Sequence, residues 1–234
     1  MNNKESTNIL LKKGKRPFTK FFINIPFRIT ARFLAAKLVN TKITPNMVSI
    51  FGVLCSLVGF YIIICFDKNY AKYSIPFYLL TNLAGALDGT LTRRKKMFSS
   101  FGSWYAMVSE RISYIIIGLS FAFFALKATS NVYIVLFCCA TLVFREGIAT
   151  ISILTIAKMP AGWNLYNDEF IHTSNTIIKF FTRCFFLTAS LYTVLIGIGI
   201  LLNANLYFVI FMFLYSFSIY FFSVIGIGKR IFNQ

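Results

Sequence analysis

The sequence predicts an all-α integral membrane protein, with six transmembrane helices preceded by an N-terminal interfacial amphipathic helix. Three observations lead there. The 234-residue chain is 57% hydrophobic and 18% aromatic, and its mean hydropathy is positive. Charged residues make up 13%, about half the usual share of a soluble domain. Six apolar runs are each long enough to cross a hydrocarbon layer of about 30 Å. A chain of this composition has too little polar surface to cover one soluble core.

The first stretch, residues 1–25, is polar and basic and carries no apolar core of signal-peptide length, so a flexible arm is expected. Residues 26–42 follow, opening with "PFRITARFLAAKLVN". Pro26 suits a first helical turn. Phe27, Ala31, Leu34 and Leu38 share one helical face, while Arg28 and Arg32 lie one turn apart on another. That pattern predicts a helix lying in the interface, its arginines reaching headgroup phosphates.

Residues 43–228 hold the six spans. The first, "TPNMVSIFGVLCSLVGFYIIICF", starts at a capping Thr44 with Pro45 at the first helical position. The second is "YSIPFYLLTNLAGALDGTL" and the third "SSFGSWYAMVSERISYIIIGLSFAFFAL". "VYIVLFCCATLVFREGIATISILTIA", "NTIIKFFTRCFFLTASLYTVLIGIGILL" and "LYFVIFMFLYSFSIYFFSVIGIG" complete the set. Residues 229–234 form a short cytosolic tail. Most loops are short, and neither an internal repeat nor a second, soluble domain is visible.

Charge orients the bundle. The net charge is +17, from 24 Lys and Arg against 7 Asp and Glu. These cations border apolar runs, which points to headgroups and topology rather than to nucleic acid. With the N-terminus inside, the outer loops carry only Lys68, Lys72 and Lys127. The inner side receives ten Lys and Arg up to Lys42, then Arg93, Arg94, Lys95 and Lys96, and later Lys158, Lys229 and Arg230. Both termini are therefore expected in the cytosol, with the segment joining the second and third spans. Cys55, Cys65, Cys138, Cys139 and Cys184 lie within apolar runs without metal-ligand spacing and read as small buried hydrophobes. The single histidine, His172, reads as a solvated loop residue.

Carboxylates are scarce, so their places carry information. Glu5, Asp67, Asp168 and Glu169 fall in polar segments. Asp88, Glu110 and Glu146 fall in or beside apolar helices, where an ionised group needs a partner or a function. Asp88 lies near the cytosolic end of the second span and Glu110 about two turns into the third. A tight turn brings such antiparallel neighbours together. Positions 85 and 88 then face positions 106 and 110, because residues three or four apart share a helical face. Four carboxylates there would make a hard-oxygen site for one or two divalent cations, able to hold a pyrophosphate. Gly89 and Gly102 would allow close approach of backbone and ligand, and Arg93 would offer a cation to phosphate.

The stretch "GALDGTLTRRKKMFSSFGSWYAMVSER" resembles the signature of the CDP-alcohol phosphotransferase (CDP-alcohol phosphatidyltransferase) family, D-x-x-D-G-x-x-A-R, eight residues, then G-x-x-x-D-x-x-x-D. Asp88, Gly89, Arg93 and Gly102 match, the eight-residue gap is intact, and Glu110 keeps an acid at the last position. "ITPNMVSIFG" is similar to the family's entry into its first span. Arg145-Glu146 resembles an Arg-acid pair in the fourth helix of phosphatidylglycerophosphate synthase-like members. The likeness runs from about residue 26 to the C-terminus.

The resemblance implies a membrane enzyme of phospholipid biosynthesis that moves a substituted phosphate from a CDP-linked lipid or alcohol to an acceptor hydroxyl and releases CMP. It implies Mg²⁺ or Mn²⁺ held by the motif aspartates against the CDP pyrophosphate, a base at the last acid, and a homodimer. In this chain the metal ligands would be Asp88 and Glu110, the base Glu110, and the substrate contacts Asp88, Gly89, Arg93, Gly102 and Arg145. The departures are Gly85 and Ala106 in place of the first and third aspartates, Glu110 for the fourth, and Thr92 for the alanine.

At the level of sequence each residue keeps two readings. Asp88 is either a metal ligand or the partner of Arg93, Arg94 or Arg111. Glu110 is either a base or half of an ion pair, and Asn82, one turn before Gly85, offers a neutral oxygen. Arg145 either binds phosphate or pairs with Glu146; Lys179 and Arg183, one turn apart near the start of the fifth span, face phosphates or headgroups. Two functions follow. One is a divergent transferase; the other is a catalytically impaired relative that keeps the fold to bind lipid or nucleotide, or to partner an active protein. A transporter is disfavoured, since no pair of broken helices is present.

Overall fold

The computed structural model describes residues 24–158 and 189–232, and every regular element among them is helical. Helix α1 spans Asn24–Leu38, α2 Pro45–Cys65, α3 Ile75–Lys95 and α4 Ser100–Thr129. Helices α5 (Val132–Lys158), α6 (Ala189–Leu201) and α7 (Leu206–Phe232) follow, and a 3₁₀ helix, Lys68–Ser74, joins α2 to α3. Most of the basic arm, His172, Lys179, Arg183, Cys184 and the first half of the fifth predicted span lie outside the described residues.

Local chemistry sets the helix ends. Thr44 caps α2 by accepting from the Met47 N–H at 3.3 Å, with Pro45 at the first position as expected. Ser99 caps α4 by accepting from the Gly102 N–H at 2.9 Å. Helix α3 runs one turn beyond its apolar segment, so Arg93, Arg94 and Lys95 fall in its last turn, where the helix dipole favours cations. Lys96 ends it in the left-handed region, at φ 55°. Lys229 and Arg230 lie within α7, which runs to Phe232.

Two lysines tie helix ends together. Lys95 Nζ donates to the carbonyls of Thr41 and Ile43, 2.5 and 2.8 Å away, and so fastens the α1–α2 connection to the end of α3. Lys127 Nζ donates to Ile63, Ile64 and Phe66, taking up carbonyls that α2 leaves unpaired at its C-terminus.

Helix α2 packs closely on both α3 and α4, α5 packs on α4 and α7 on α5, α6 lies against α3 and α4 alike, and α1 lies on α3. One core cluster includes Ile63, Tyr78, Ile117, Phe124 and Ile196. A second joins Ala31 and Ala35 of α1 to Val48, Ala84, Leu87 and Leu91. The packed side of α1 is thus the one expected from Phe27, Ala31, Leu34 and Leu38, while Ile29 and Phe33 form a second, exposed apolar strip. Cys65 is a correction. It ends α2 on the surface rather than in the core, whereas Cys55 and Cys138 are buried.

Along α2 the small residues Ser49, Gly52, Ser56 and Gly59 are all buried and recur at helical spacing. They let α3 approach: a Cβ on Gly52 would stand 3.1 Å from that of Ala84, and one on Gly59 would enter the Tyr78 ring. Thr81 donates to the Gly52 carbonyl at 3.1 Å across the contact. Helices with small residues at the interface pack this way in lipid. Pro45–Cys65 and Phe101–Thr129 are long and apolar enough to cross a membrane on length and composition.

Gly59→Val is expected to lower the thermal unfolding midpoint in detergent, at a cost of about 1–3 kcal/mol, because the added carbons overlap a ring that has nowhere to move. Gly85→Ala is the matched control. An added Cβ there meets nothing within 4 Å, so no loss is expected.

Candidate functional site

The turn between α3 and α4 brings the four acid positions of the signature to one cavity of about 240 Å³. From α3 it is lined by Thr81, Ala84, Gly85 and Asp88, and from α2 by Ser49 and Gly52. From α4 come Ser103, Ala106, Met107, Ser109, Glu110, Ser113 and Tyr114. Positions 85, 88, 106 and 110 therefore meet as their spacing requires.

Asp88 is 8% exposed, and its Oδ2 accepts from the Ser49 hydroxyl at 2.7 Å. That serine belongs to α2, a third helix at the cavity, while the Gly89 backbone also bonds the carboxylate and Arg93 stays within electrostatic reach. Glu110 is exposed, but that surface opens on the cavity. Arg145 and Arg111 lie near enough to act on its charge.

Behind the cavity wall is a half-buried ionic cluster. Glu146 pairs with its neighbour Arg145 and with Arg111 of α4, the latter at 3.1 Å. The Arg145 guanidinium rests over the Tyr114 ring at 4.1 Å and faces Tyr192 of α6 at 5.5 Å. A guanidinium between aromatic faces and a carboxylate is a low-cost way to keep an arginine in an apolar interior. Tyr114 lines the cavity on one side and supports Arg145 on the other. Its hydroxyl donates to Asn82 Oδ1 at 2.8 Å, so the oxygen that Asn82 offered from sequence is engaged below the cavity rather than in it.

The other predicted contacts stand off the lining. Arg93 is exposed and donates to Thr90 Oγ1 at 3.2 Å. Gly89 faces the Arg93 side chain, 3.6 Å from where its Cβ would be. Gly102 serves the start of α4: its N–H completes the Ser99 cap, and a Cβ would sit 2.9 Å from Ser99 Oγ. Thr92, in place of the family's alanine, returns its hydroxyl to the Asp88 carbonyl at 2.8 Å. Of the proposed site residues, the structure brings Asp88 and Glu110 together, with Arg145 one layer behind.

Sequence reasoning missed Ser49 and the hydroxyl wall of Ser103, Ser109 and Ser113. The signal for Ser49 was present in the small-residue face of α2. The serines of α4 carry none, since a hydroxyl in an apolar helix commonly bonds to its own backbone, as Ser113 does to the Ser109 carbonyl at 2.9 Å.

The donor set does not fit a two-cation centre. Among the described residues no three His, Cys, Asp or Glu side chains come together. Gly85 and Ala106 occupy the two missing ligand positions on the cavity wall itself.

Fold and site together define a helical protein with a charged cavity between its apolar helices. The chain belongs to the CDP-alcohol phosphatidyltransferase family, whose model matches residues 42–226. A comparison with curated proteins finds no match. Membership and the apolar helices make it a membrane protein of the phospholipid-synthesis transferase type.

Ser49→Ala is expected to lower stability by about 1–3 kcal/mol, the cost of leaving a buried carboxylate without its donor. In an Asp88→Leu background the same change should cost far less. Thermal unfolding of the four proteins in the cycle checks this; equal losses in both backgrounds would show that the 2.7 Å contact contributes nothing.

Proposed function

We propose that the protein is a six-span membrane transferase, both termini and the cavity mouth cytosolic, that moves a substituted phosphate from a CDP-linked lipid or alcohol to an acceptor hydroxyl with release of CMP. The observation that carries this reading is the convergence of the signature's four acid positions on one cavity, with Asp88 and Glu110 both lining it. Glu110 is the base: its carboxylate opens on the cavity, where it can take the acceptor's proton as the hydroxyl oxygen attacks phosphorus and CMP departs. Arg145, clasped by Tyr114 and Tyr192, fixes the wall behind it. The cations in the last turn of α3, Arg93 among them, sit where a phosphate entering from the cytosol would meet them. The Arg145-Glu146 pair supports a likeness to phosphatidylglycerophosphate synthase-like members, and the family to a homodimer.

A second reading has its own observation. Gly85 leaves open space at the cavity wall and Ala106 adds no donor, so half of the family's acids are gone. On this reading the chain keeps the fold to bind lipid or nucleotide, or to partner an active protein, without turning over.

The test is CMP release from CDP-diacylglycerol by the purified, reconstituted protein, with Mg²⁺ or Mn²⁺ and a panel of alcohols. Release is expected, falling about 10²–10⁴-fold in Glu110→Gln, the range for loss of a general base. No release from the wild type sinks the transferase reading. Release that arises only after Gly85→Asp with Ala106→Asp establishes the second.

A further inference from the structure

The charge and donor chemistry of the cavity limit what it can hold. Two divalent cations bring four positive charges, and the lining supplies two carboxylates, Asp88 and Glu110. One of these is already answered by the protein, since Arg145 and Arg111 act on Glu110. The other accepts the Ser49 hydroxyl.

The remaining oxygens on the wall are neutral, and several are engaged. Ser49 gives its hydrogen to Asp88, Thr81 donates to the Gly52 carbonyl, and Ser113 to the Ser109 carbonyl. Such hydroxyls retain lone pairs, which can complete the shell of one ion but cannot balance the charge of a second. Asn82 adds nothing, because it does not line the cavity.

We infer that this cavity takes one divalent cation at most, between Asp88 and Glu110, where four acids would hold two. Neither acid stands alone without a metal, since Arg145 lies near enough to act on the charge of Glu110 and Ser49 donates to Asp88. The space for the absent ligand is still there, since an added Cβ at Gly85 meets nothing within 4 Å. The inference rests on the family reading of the cavity but not on turnover, so its test reads metal binding alone.

The experiment is a Mn²⁺ titration of the EDTA-washed full-length protein in zwitterionic nanodiscs, followed by electron paramagnetic resonance. The wild type is expected to bind no more than one Mn²⁺ per chain above an Asp88→Asn, Glu110→Gln control, without the spectrum of a coupled pair. Gly85→Asp with Ala106→Asp should add one ion and that spectrum. Should the double variant fail to fold, Gly85→Asp alone serves, with an expected gain in Mn²⁺ affinity of at least about tenfold from the added charge. Two Mn²⁺ per wild-type chain, lost in the control, would overturn the inference. So would a folded variant that binds Mn²⁺ no better than the wild type. Either result can be obtained whether or not the protein releases CMP, which separates this outcome from that of the transferase reading.

Discussion

The close approach of α2 to α3 is the constraint on which the rest of the structure depends. Glycine at 52 and 59 removes the side chains that would hold the two helices apart, and Tyr78 and Ala84 fill the space. At that separation Ser49 reaches Asp88 and Thr81 reaches a backbone carbonyl of the facing helix. In an apolar medium these bonds matter because the alternative is an unsatisfied polar group. The packing of small residues and the placement of the acid are one event. Without the approach, Asp88 would lack its donor and the cavity would lose its α2 wall.

A second constraint acts one layer away. Four charged groups, Glu110, Arg111, Arg145 and Glu146, lie among apolar helices and are arranged so that each sign meets the other. Such clusters are a poor source of stability, but the pair between Arg111 of α4 and Glu146 of α5 ties the register of the two helices, because sliding one past the other by a residue separates it. Here the cluster joins α4 to α5, and through the Tyr192 ring it reaches α6. The wall that presents Glu110 is therefore fixed by residues that never touch the cavity.

Much of the architecture was legible from residue pattern. The Thr44-Pro45 start of α2, the apolar span of α4 and the packed face of α1 follow from capping and periodicity, which are local rules. The meeting of positions 85, 88, 106 and 110 was legible too, since helical spacing and a tight turn leave little freedom. Cys65 was not, because an apolar run shows that a residue sits in a span but not which side faces inward. Lys95 and Lys127 were read as topology signals, yet each also closes a set of backbone carbonyls far along the chain. Arg111 stood as a partner for Asp88 and pairs with Glu146.

By itself the sequence determined the class of the protein, its helical order and the loss of two acids from a four-acid pattern, because composition, periodicity and spacing are properties of the chain in one dimension. Only the tertiary structure decided which partners the surviving acids have. Asp88 meets Ser49 at hydrogen-bond distance, and Glu110 lines the cavity with Arg145 behind it. The physical reason is that a buried charge is settled by whichever groups the packing brings within a few ångströms, and these came from helices distant in sequence.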